Sequence, residues 1–254
     1  MNSADRQQPT GAITFATSCL GDAIYYGSRS LIIAGTVFVG AVLFLLLVFR
    51  FVNPPASSVM LQHRLSSQRV EQTWVSLDRI SPHLQRAVVA SEDAKFCKHF
   101  GLDLGELAFV IRQAHRNGSL DVRGASTITM QVSRNLFLWQ GKSLLRKGME
   151  IAIAPMMEFV WPKSRILEVY LNIAEWGPGV YGAEAAANTH FKRTARQLNR
   201  SQAALMAASL PNPRLRRPSA PNSSLKRKSR RLIKRSAALS SLMTCLEERS
   251  GRGS

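Results

Sequence analysis

The sequence predicts a mainly α-helical domain that is preceded by one transmembrane helix. Two observations predict this fold class. Near the start lies a long apolar run without a charged residue, and beyond it apolar residues recur at three- or four-residue spacing, as they do on the buried face of a helix. With 254 residues, of which 45% are hydrophobic, the chain has room for one buried core in addition to a membrane anchor.

The apolar run at residues 31–52 is the predicted transmembrane helix. It contains no charged residue before Arg50. About 20 apolar residues cross the hydrocarbon core of a bilayer as a helix, whereas the core of a signal peptide usually has about 7 to 15. A buried helix of a soluble protein is the alternative, but a helix that is apolar all round has no face for water. We therefore expect a single membrane span.

Shifts in composition divide the rest of the chain. Residues 1–30 are predicted to be a polar N-terminal tail, and residues 53–76, which open on an Asn-Pro-Pro break, a linker. A short extended piece is predicted around residues 73–77. Residues 77–215 form the predicted domain, and 216–254 a basic C-terminal tail. Apolar periodicity predicts helices at 83–97, 104–117, 126–138, 142–160, 164–173 and 201–210.

The net charge of +18 is concentrated in the last part of the chain. Residues 214–254 contain 12 Lys and Arg against only Glu247 and Glu248, so more than half of the excess lies there. No zinc-ligand spacing and no interleaved aromatic platform accompanies these cations, which argues against a nucleic-acid partner. A solvated, partly disordered extension and a contact with anionic membrane lipids both stay open.

The three cysteines predict little about the fold. Cys19, Cys97 and Cys245 are odd in number and widely spaced, so they form neither a disulfide framework nor a metal-ligand pattern. We expect Cys97 to be a small apolar packing residue.

Three polar clusters follow one another between residues 92 and 150. They read Glu-Asp-Ala-Lys-Phe-Cys-Lys-His-Phe-Gly at 92–101, Gly-Ala-Ser-Thr-Ile-Thr-Met-Gln at 124–131 and Arg-Lys-Gly-Met-Glu at 146–150. In this order they resemble the motifs of the family 51 glycosyltransferases, the glycosyltransferase domain of bacterial peptidoglycan polymerases. The segments Ile-Leu-Glu-Val-Tyr-Leu-Asn at 166–172 and Leu-Pro-Asn-Pro at 210–213 resemble the same family.

A transpeptidase half is not predicted. It would need a Ser-x-x-Lys nucleophile together with its partner motifs, and that set is missing from the sequence. The resemblance is therefore to the monofunctional biosynthetic peptidoglycan transglycosylases. It implies a lysozyme-like helical fold with a small membrane-proximal lobe, and an enzyme that polymerises lipid II into β-1,4 glycan and releases undecaprenyl diphosphate.

The resemblance also implies a location and partners. It places a single-pass protein in the bacterial inner membrane with its domain on the periplasmic side, in contact with lipid II, nascent glycan, membrane lipids and proteins of cell-wall synthesis or division. Charge bias alone points the other way, because Arg29 precedes the span whereas Arg50, Arg64 and Arg69 follow it. Long translocated domains largely ignore that bias, so we expect the periplasmic side.

Glu92 is the predicted general base, which would accept the proton of the attacking sugar hydroxyl. Glu92, Phe96 and His99 are four and then three residues apart, so on one helix they would share a face. Phe96 would pack beneath the site, His99 would fix a loop or touch substrate, and Asp93 would orient backbone. The alternative for an isolated Glu-Asp pair is an ordinary surface salt bridge.

The leaving diphosphate needs fixed donors and cations. A Ser-Thr-x-Thr run is also typical of a helix N-terminus, and a basic pair is often a solvated helix face, so both alternatives accompany this prediction. Glu150 is the second catalytic carboxylate, which would position cations or a divalent metal, Mg²⁺ or Mn²⁺; a plain intrahelical pair with Arg146 is its alternative. No cofactor is required with certainty. The predicted diphosphate-binding residues are Ser126, Thr127, Thr129, Gln131, Arg134, Lys142, Arg146 and Lys147.

The chain departs from the family pattern at a few positions. Met130 replaces a frequent Gln, and Arg134 and Lys142 exchange the usual Lys and Arg. Lys192 follows His-Phe where Tyr-Phe-Gly is usual, which leaves the local turn open. Two other classes of function also stay open: a lytic glycosidase, which would not need the cationic pocket, and a catalytically silent scaffold.

Overall fold

The computed structural model describes residues 10–116, 124–141, 143–239 and 243–247. It divides into two units, Met1–Val48 and Phe49–Ser254. Helix α1 (Thr10–Phe51) begins in the first unit, inside the segment that was predicted to be a polar tail. Its portion Tyr25–Phe51 is long and apolar enough to cross a membrane. The prediction of one apolar helix before a mainly helical domain is confirmed.

The second unit is built from ten helices of the described chain and one small sheet. The sheet has the order β1-β3-β2, with β1 parallel and β2 antiparallel to β3, and Glu71 pairs with Val180. The elements are α2 (Ser58–Leu65), β1 (Glu71–Gln72), α3 (Pro82–Glu92), α4 (Leu104–Arg116), α5 (Ile128–Phe137), α6 (Leu144–Val160), α7 (Lys163–Ile173), β2 (Glu175–Gly177), β3 (Val180–Tyr181), α8 (Ala183–Phe191), α9 (Arg200–Ser209), α10 (Ser223–Ala238) and α11 (Thr244–Glu247).

Helix α7 lies at the centre of the core, and every residue from Ser164 to Ile173 is buried. Helix α5 packs on α6 and α7, while α3 packs on α9. The buried face of α9 is made of small residues, among them Ala203 and Ala207, which allow the two backbones to approach closely. The start of α5 and the end of α3 are joined by a hydrogen bond from the N–H of Ile128 to the carboxylate of Asp93.

Four of the predicted helices differ from the structure by at most two residues at either end within the described chain; these are α5, α6, α7 and α9. Side chains that cap backbone N–H groups set several starts: Thr127 caps α5, Ser143 caps α6 and Asn199 caps α9. Helix α4 ends at Arg116, and the predicted last residue, Asn117, lies outside the described residues. The extended piece predicted at 73–77 is instead a strand at Glu71–Gln72.

The helix predicted at 83–97 ends at Glu92. Asp93 leaves the helical conformation at φ −160° and ψ 73°, and only a short 3₁₀ turn, Phe96–Lys98, follows. The carboxylate of Asp93 is bonded to residues outside α3, so tertiary hydrogen bonds outweigh the local helix preference here. The prediction that Glu92, Phe96 and His99 share the face of one helix is therefore wrong.

The segment predicted to be a basic tail contains α10, which packs on both α9 and α3. Asn222 caps its start by accepting a hydrogen bond from the N–H of Leu225. Leu225 and Leu232 are buried, so the helix has one apolar face in spite of its many cations. At Ser223–Ala238 the structure thus differs from the solvated extension considered for this segment.

A disulfide joins Cys97 to Cys245 across 148 positions of sequence. The expectation that the cysteines form no disulfide, and that Cys97 merely packs, is wrong. Spacing along the chain carries no information about this pair, because the fold alone brings the two Cα atoms to 5.7 Å. The bond fixes the segment around α11 to the short turn Phe96–Lys98, which lies within the first polar cluster.

Candidate active site

Glu92 is the last residue of α3, and its half-buried carboxylate is held by two neutral side chains. The hydroxyl of Ser91 donates to its Oε1 at 2.9 Å, and the amide nitrogen of Gln131 on α5 donates to its Oε2 at 3.4 Å. Burial raises the pKa of Glu92, while the bonds from Ser91 and Gln131 act in the opposite direction. A carboxylate with a raised pKa and, among the described residues, no salt bridge is suited to accept a proton.

A cleft of about 220 Å³ opens beside this carboxylate, and we call it the Glu92 cleft. One wall is the turn after α3, and another is the segment that leads into α5. Asp103 and Glu106, at the start of α4, and Arg235 on α10 complete the lining, and Arg235 comes from the segment expected to be a tail. The polar residues at the cleft include Ser91, Glu92, Asp93, Lys95, Ser126 and Thr127.

Asp93 connects the end of α3 to the start of α5. Its two carboxylate oxygens lie 2.9 and 3.0 Å from Nε2 of His99, and one of them accepts the N–H of Ile128 at 3.0 Å. Asp93 and the His99 side chain are both buried. The carboxylate therefore satisfies a backbone donor at the helix start, which fixes how α5 enters the site.

The turn after α3 is anchored from below. Phe96 is fully buried, and the ammonium of Lys163 lies 4.5 Å from its ring centre. Lys163 also donates to the backbone carbonyl of His99 at 2.8 Å. Gly101 has φ +79°, and a Cβ there would lie 2.7 Å from the carbonyl carbon of Ala154, so only glycine fits. In the structure Phe96 and His99 thus lie beneath the cleft rather than on its surface.

The threonines of the second cluster point in different directions. Thr127 is buried, donates to the carbonyl of Gly101 at 2.6 Å and accepts the N–H of Met130 as the cap of α5. Thr129 is fully buried and donates to Glu158 at 2.6 Å, so it faces the core rather than the cleft. Ser126, half-buried, lines the cleft directly.

Gln131 faces a second cavity as well as Glu92. This cavity of about 190 Å³, which we call the Gln131 pocket, is also lined by Arg134, Asn135, Tyr170 and Glu175. The carbonyl oxygen of the Gln131 side chain accepts the hydroxyl of Tyr170 at 3.2 Å. Gln131 therefore joins the two cavities through its side-chain amide.

The third cluster is a set of cations arranged around Glu150 on α6. Glu150 is 1% exposed, and its two oxygens pair with Arg146 and, at 3.1 Å, with Lys147. Burial and the nearby cations Arg134 and Arg146 lower the pKa of Lys147 to about 8. The positive charge of Arg134 on α5 also lowers the pKa of Arg146, so Arg134 lies near both cations of α6. Lys142, predicted for this group, lies outside the described residues.

Comparison with known proteins identifies the family. The sequence pattern of the family described as "Transglycosylase" matches residues 58–237. The chain belongs to the transglycosylase family. It is 45% identical over 226 residues, covering 87% of this chain and 100% of the relative, to a biosynthetic peptidoglycan transglycosylase of Brucella suis biovar 1 (strain 1330).

Two further relatives carry the same name. The protein of Agrobacterium fabrum is 46% identical over 192 residues, which cover 76% of this chain and 84% of the relative. The protein of Haemophilus influenzae is 46% identical over 180 residues, which cover 68% of this chain and 73% of the relative. The transglycosylase match extends through α10, beyond the boundary predicted at residue 215.

Sequence reasoning missed three side chains around the site of this transglycosylase. Ser91 holds Glu92 from the position next to it, and no motif pointed to that bond. Tyr170 lies in the segment 166–172 that resembles the family, but its bond to Gln131 follows from the fold alone. Arg216 and Arg235 border a cavity of about 270 Å³ that adjoins Ser91. The cations of α10 that line it lie three and four positions apart, and that helical spacing was a readable signal; these are Lys228, Arg231 and Arg235.

A resident metal finds little support in the part of the transglycosylase that the structure describes. No group of three His, Cys, Asp or Glu side chains there is placed to hold an ion. Glu150, the carboxylate predicted to serve one, already has both oxygens engaged by Arg146 and Lys147. The donor set therefore fits a diphosphate better than a divalent cation.

Proposed function

We propose that this chain is a peptidoglycan glycosyltransferase that extends glycan strands from lipid II. The observation that carries the proposal is Glu92, a half-buried carboxylate held by neutral donors beside a cleft, with a cationic group around Glu150 on α6, which packs on the helix of Gln131. Proton acceptance and stabilisation of a leaving diphosphate are the two tasks of such a transfer. The name shared by the curated relatives supports the same reaction.

Glu92 acts as the general base in the proposed reaction. The hydroxyl of the acceptor sugar loses its proton to the Glu92 carboxylate while its oxygen attacks the anomeric carbon of the donor. The bond from that carbon to the diphosphate breaks, and its electron pair leaves with undecaprenyl diphosphate. Direct displacement of an α-linked diphosphate inverts the anomeric carbon, so the new bond is β-1,4.

The group around Glu150 is assigned to the donor diphosphate. Arg134, Arg146 and Lys147 supply three positive charges, and Glu150 removes one while it holds two of the cations in place. Fixed cations stabilise charge that develops on the leaving group without reorganising water. Glu150 is thereby a positioning residue rather than a second base.

The cations of α10 are assigned to the acceptor. Both substrates are lipid-linked diphosphates, so the reaction brings two of these groups to the protein at once. Arg216, Lys228, Arg231 and Arg235 line a cavity that shares Ser91 and Arg235 with the Glu92 cleft. A second cationic wall on the other flank of Glu92 meets that requirement.

A divalent cation stays a prediction. With Glu150 already paired to Arg146 and Lys147, a Mg²⁺ or Mn²⁺ ion at the donor would be held mainly by diphosphate oxygens. Polymerisation by protein that has been stripped with a chelator, with and without added Mg²⁺ or Mn²⁺, measures its contribution.

We propose that the domain lies on the periplasmic side of the inner membrane, anchored by α1. The apolar stretch Tyr25–Phe51 suits a span, and a polyprenyl substrate stays in the bilayer. The disulfide between Cys97 and Cys245 supports the periplasm, because disulfides form and persist in oxidising compartments and are rare in the cytosol. We propose proteins of cell-wall synthesis or division as partners, and we propose no nucleic-acid partner.

The test is polymerisation of labelled lipid II by the purified full-length protein and by Glu92→Gln. The amide cannot take a proton, so we expect glycan synthesis to fall by about 100- to 10,000-fold. Glu71→Gln, which changes an exposed carboxylate in the same way, serves as the matched control and should keep the activity. No glycan from the unchanged protein would sink the proposal, and shortening of preformed glycan would identify a lytic glycosidase instead.

A further inference from the structure

The carboxylate of Glu92 is connected to the centre of the core by two hydrogen bonds in series. Tyr170 on α7 donates its hydroxyl to the side-chain oxygen of Gln131 at 3.2 Å. Gln131 on α5 donates its amide nitrogen to Oε2 of Glu92 at 3.4 Å. Three helices that are distant in sequence thus meet at one reacting group.

The chemistry of these groups sets the direction of the series. An ionised carboxylate only accepts hydrogen bonds, so the NH₂ group of Gln131 must face Glu92. Its carbonyl oxygen then faces Tyr170 and needs a donor, which the phenol hydroxyl is. Without that hydroxyl, only the carboxylate distinguishes the two ends of the amide, and the NH₂ group is held toward Glu92 less firmly.

Packing makes Tyr170 a rigid starting point. Tyr170 is 2% exposed, and the residues around it on α7 are all buried. Gln131, by contrast, is half-buried and lies between the Glu92 cleft and the Gln131 pocket. A half-buried amide side chain can adopt several rotamers. A buried partner that stabilises one rotamer therefore determines where the amide nitrogen points.

We propose that Tyr170 and Gln131 are positioning residues that orient the Glu92 carboxylate for proton transfer, an assignment that rests on the proposed function of Glu92 as the base. Ser91 holds one carboxylate oxygen from the helix of Glu92 itself, whereas Gln131 holds the other from a different helix. These two bonds therefore fix the orientation of a carboxylate that lines the cleft. The distance of 3.4 Å is long, and such bonds commonly tighten when substrate binds.

The proposal is tested with Tyr170→Phe, which keeps the ring and removes only the hydroxyl. We expect kcat for lipid II polymerisation to fall by about three- to tenfold, with KM unchanged, because a net hydrogen bond has about that effect. We also expect the acidic limb of the kcat/KM profile to move to higher pH. The Gln131 bond lowers the pKa of Glu92, so a weaker bond lets that pKa rise.

Gln131→Met and the double variant separate positioning from packing. If Tyr170 acts through Gln131, then Tyr170→Phe has little further effect on kcat once Gln131 is Met, and the two changes are not additive. Independent effects that multiply in the double variant would overturn the proposal. So would a Tyr170→Phe protein whose kcat and pH profile equal those of the unchanged protein.

Tyr181→Phe is the matched control. Tyr181 is also a fully buried tyrosine with a bonded hydroxyl, at 2.8 Å from Nδ1 of His63, but it has no bond to Gln131 or Glu92. Removal of the Tyr181 hydroxyl should lower the thermal stability of the protein without shifting the acidic limb of its kcat/KM profile. A shift equal to that of Tyr170→Phe would show a general packing effect and overturn the proposal.

Glu92→Gln, measured beside these variants, distinguishes failure of the positioning role from failure of Glu92 as the base. An inactive Glu92→Gln with an unaffected Tyr170→Phe rejects the positioning role alone. An active Glu92→Gln rejects Glu92 as the base, and with it the reason for any positioning.

Discussion

Glu92 and Glu150 have opposite surroundings although both are acidic residues in a strongly basic chain. Glu150 is paired to Arg146 and Lys147, whereas Glu92 accepts hydrogen bonds from the neutral groups of Ser91 and Gln131. These two bonds lower the pKa of Glu92, but burial outweighs them, whereas a direct ion pair would hold Glu92 ionised and weaken it as a base. The difference in partners thus separates the proton acceptor from the residue that holds the cations.

We expect Lys147 to set the basic limb in the pH dependence of the reaction. We expect kcat/KM to decline as pH rises through about 8, because burial and the neighbouring cations lower the pKa of Lys147 to about 8 and the neutral amine no longer attracts diphosphate. Lys147→Arg keeps its charge at higher pH, so its profile should stay flat beyond that point. Rates of lipid II polymerisation over a pH series measure the profiles of the unchanged protein and of Lys147→Arg.

Lys98→Arg is the control for this prediction, because Lys98 is exposed. Its profile should match that of the unchanged protein. A basic limb that persists unchanged in Lys147→Arg would assign the limb to another group.

The sequence identified the three clusters of the site but not the direction of each side chain. Gln131 was predicted to face the diphosphate, and the structure turns its amide nitrogen toward Glu92. Thr129 was predicted to bind substrate, and the structure points it at Glu158. Which way a side chain points depends on where its helix begins and on its neighbours in the fold, and neither is encoded in a motif's spacing.

At the scale of helices and strands, prediction succeeded where local signals are strong. Helices α5, α6 and α9 combine apolar periodicity with a Thr, Ser or Asn cap, so their bounds could be read closely. Prediction failed at α8, whose Ala-rich sequence has little apolar periodicity. It also failed at α10, whose many cations made the apolar face of the helix hard to recognise in the sequence. The early end of α3 depends on the tertiary bonds of Asp93, which no local pattern contains.

Lys192 occupies a position that favours glycine. It ends α8 in the left-handed conformation, with φ 53° and ψ 40°, at the place where the family pattern usually has Gly. Lys192→Gly relieves that strain but loosens the unfolded chain, so we expect a net gain of about 0.5 to 1 kcal/mol in the free energy of unfolding. Thermal unfolding in detergent measures the gain.

Lys226→Gly is the contrasting control for the strain at Lys192. Lys226 lies inside α10, where glycine should lower stability by about 1 kcal/mol. If Lys192→Gly destabilises the protein to the same degree, the strain at Lys192 is not released by glycine.

At the scale of the whole molecule, covalent and packing contacts both bring distant sequence to the site. Helix α10 supplies Arg235 to the Glu92 cleft, and the disulfide fixes Cys245 beside the turn that carries His99. Fold class and membrane helix could be predicted because they follow from composition over many residues. The disulfide and the role of α10 could not be predicted, because each depends on one tertiary contact between residues that are far apart in sequence.

Reduction of the disulfide should destabilise the domain. Closing so long a loop restricts the unfolded chain, so we expect loss of the bond to lower the free energy of unfolding by about 3 to 5 kcal/mol. The measurement is thermal unfolding of the detergent-solubilised protein with and without dithiothreitol. The variant with both Cys97→Ala and Cys245→Ala should melt at the temperature of the reduced protein and show no further response to the reductant; a response there would trace the effect to something else.

The same bond changes what a protease can do to this protein. Glu150, the cations of α5 and α6, and Arg235 all lie on the loop that runs from Cys97 to Cys245, whereas Glu92 lies just outside it. One backbone cut anywhere on that loop leaves the two fragments covalently joined, so nicked protein migrates as one band until it is reduced. A cell-envelope enzyme built in this way keeps its two carboxylates on one connected molecule after damage that would otherwise separate them.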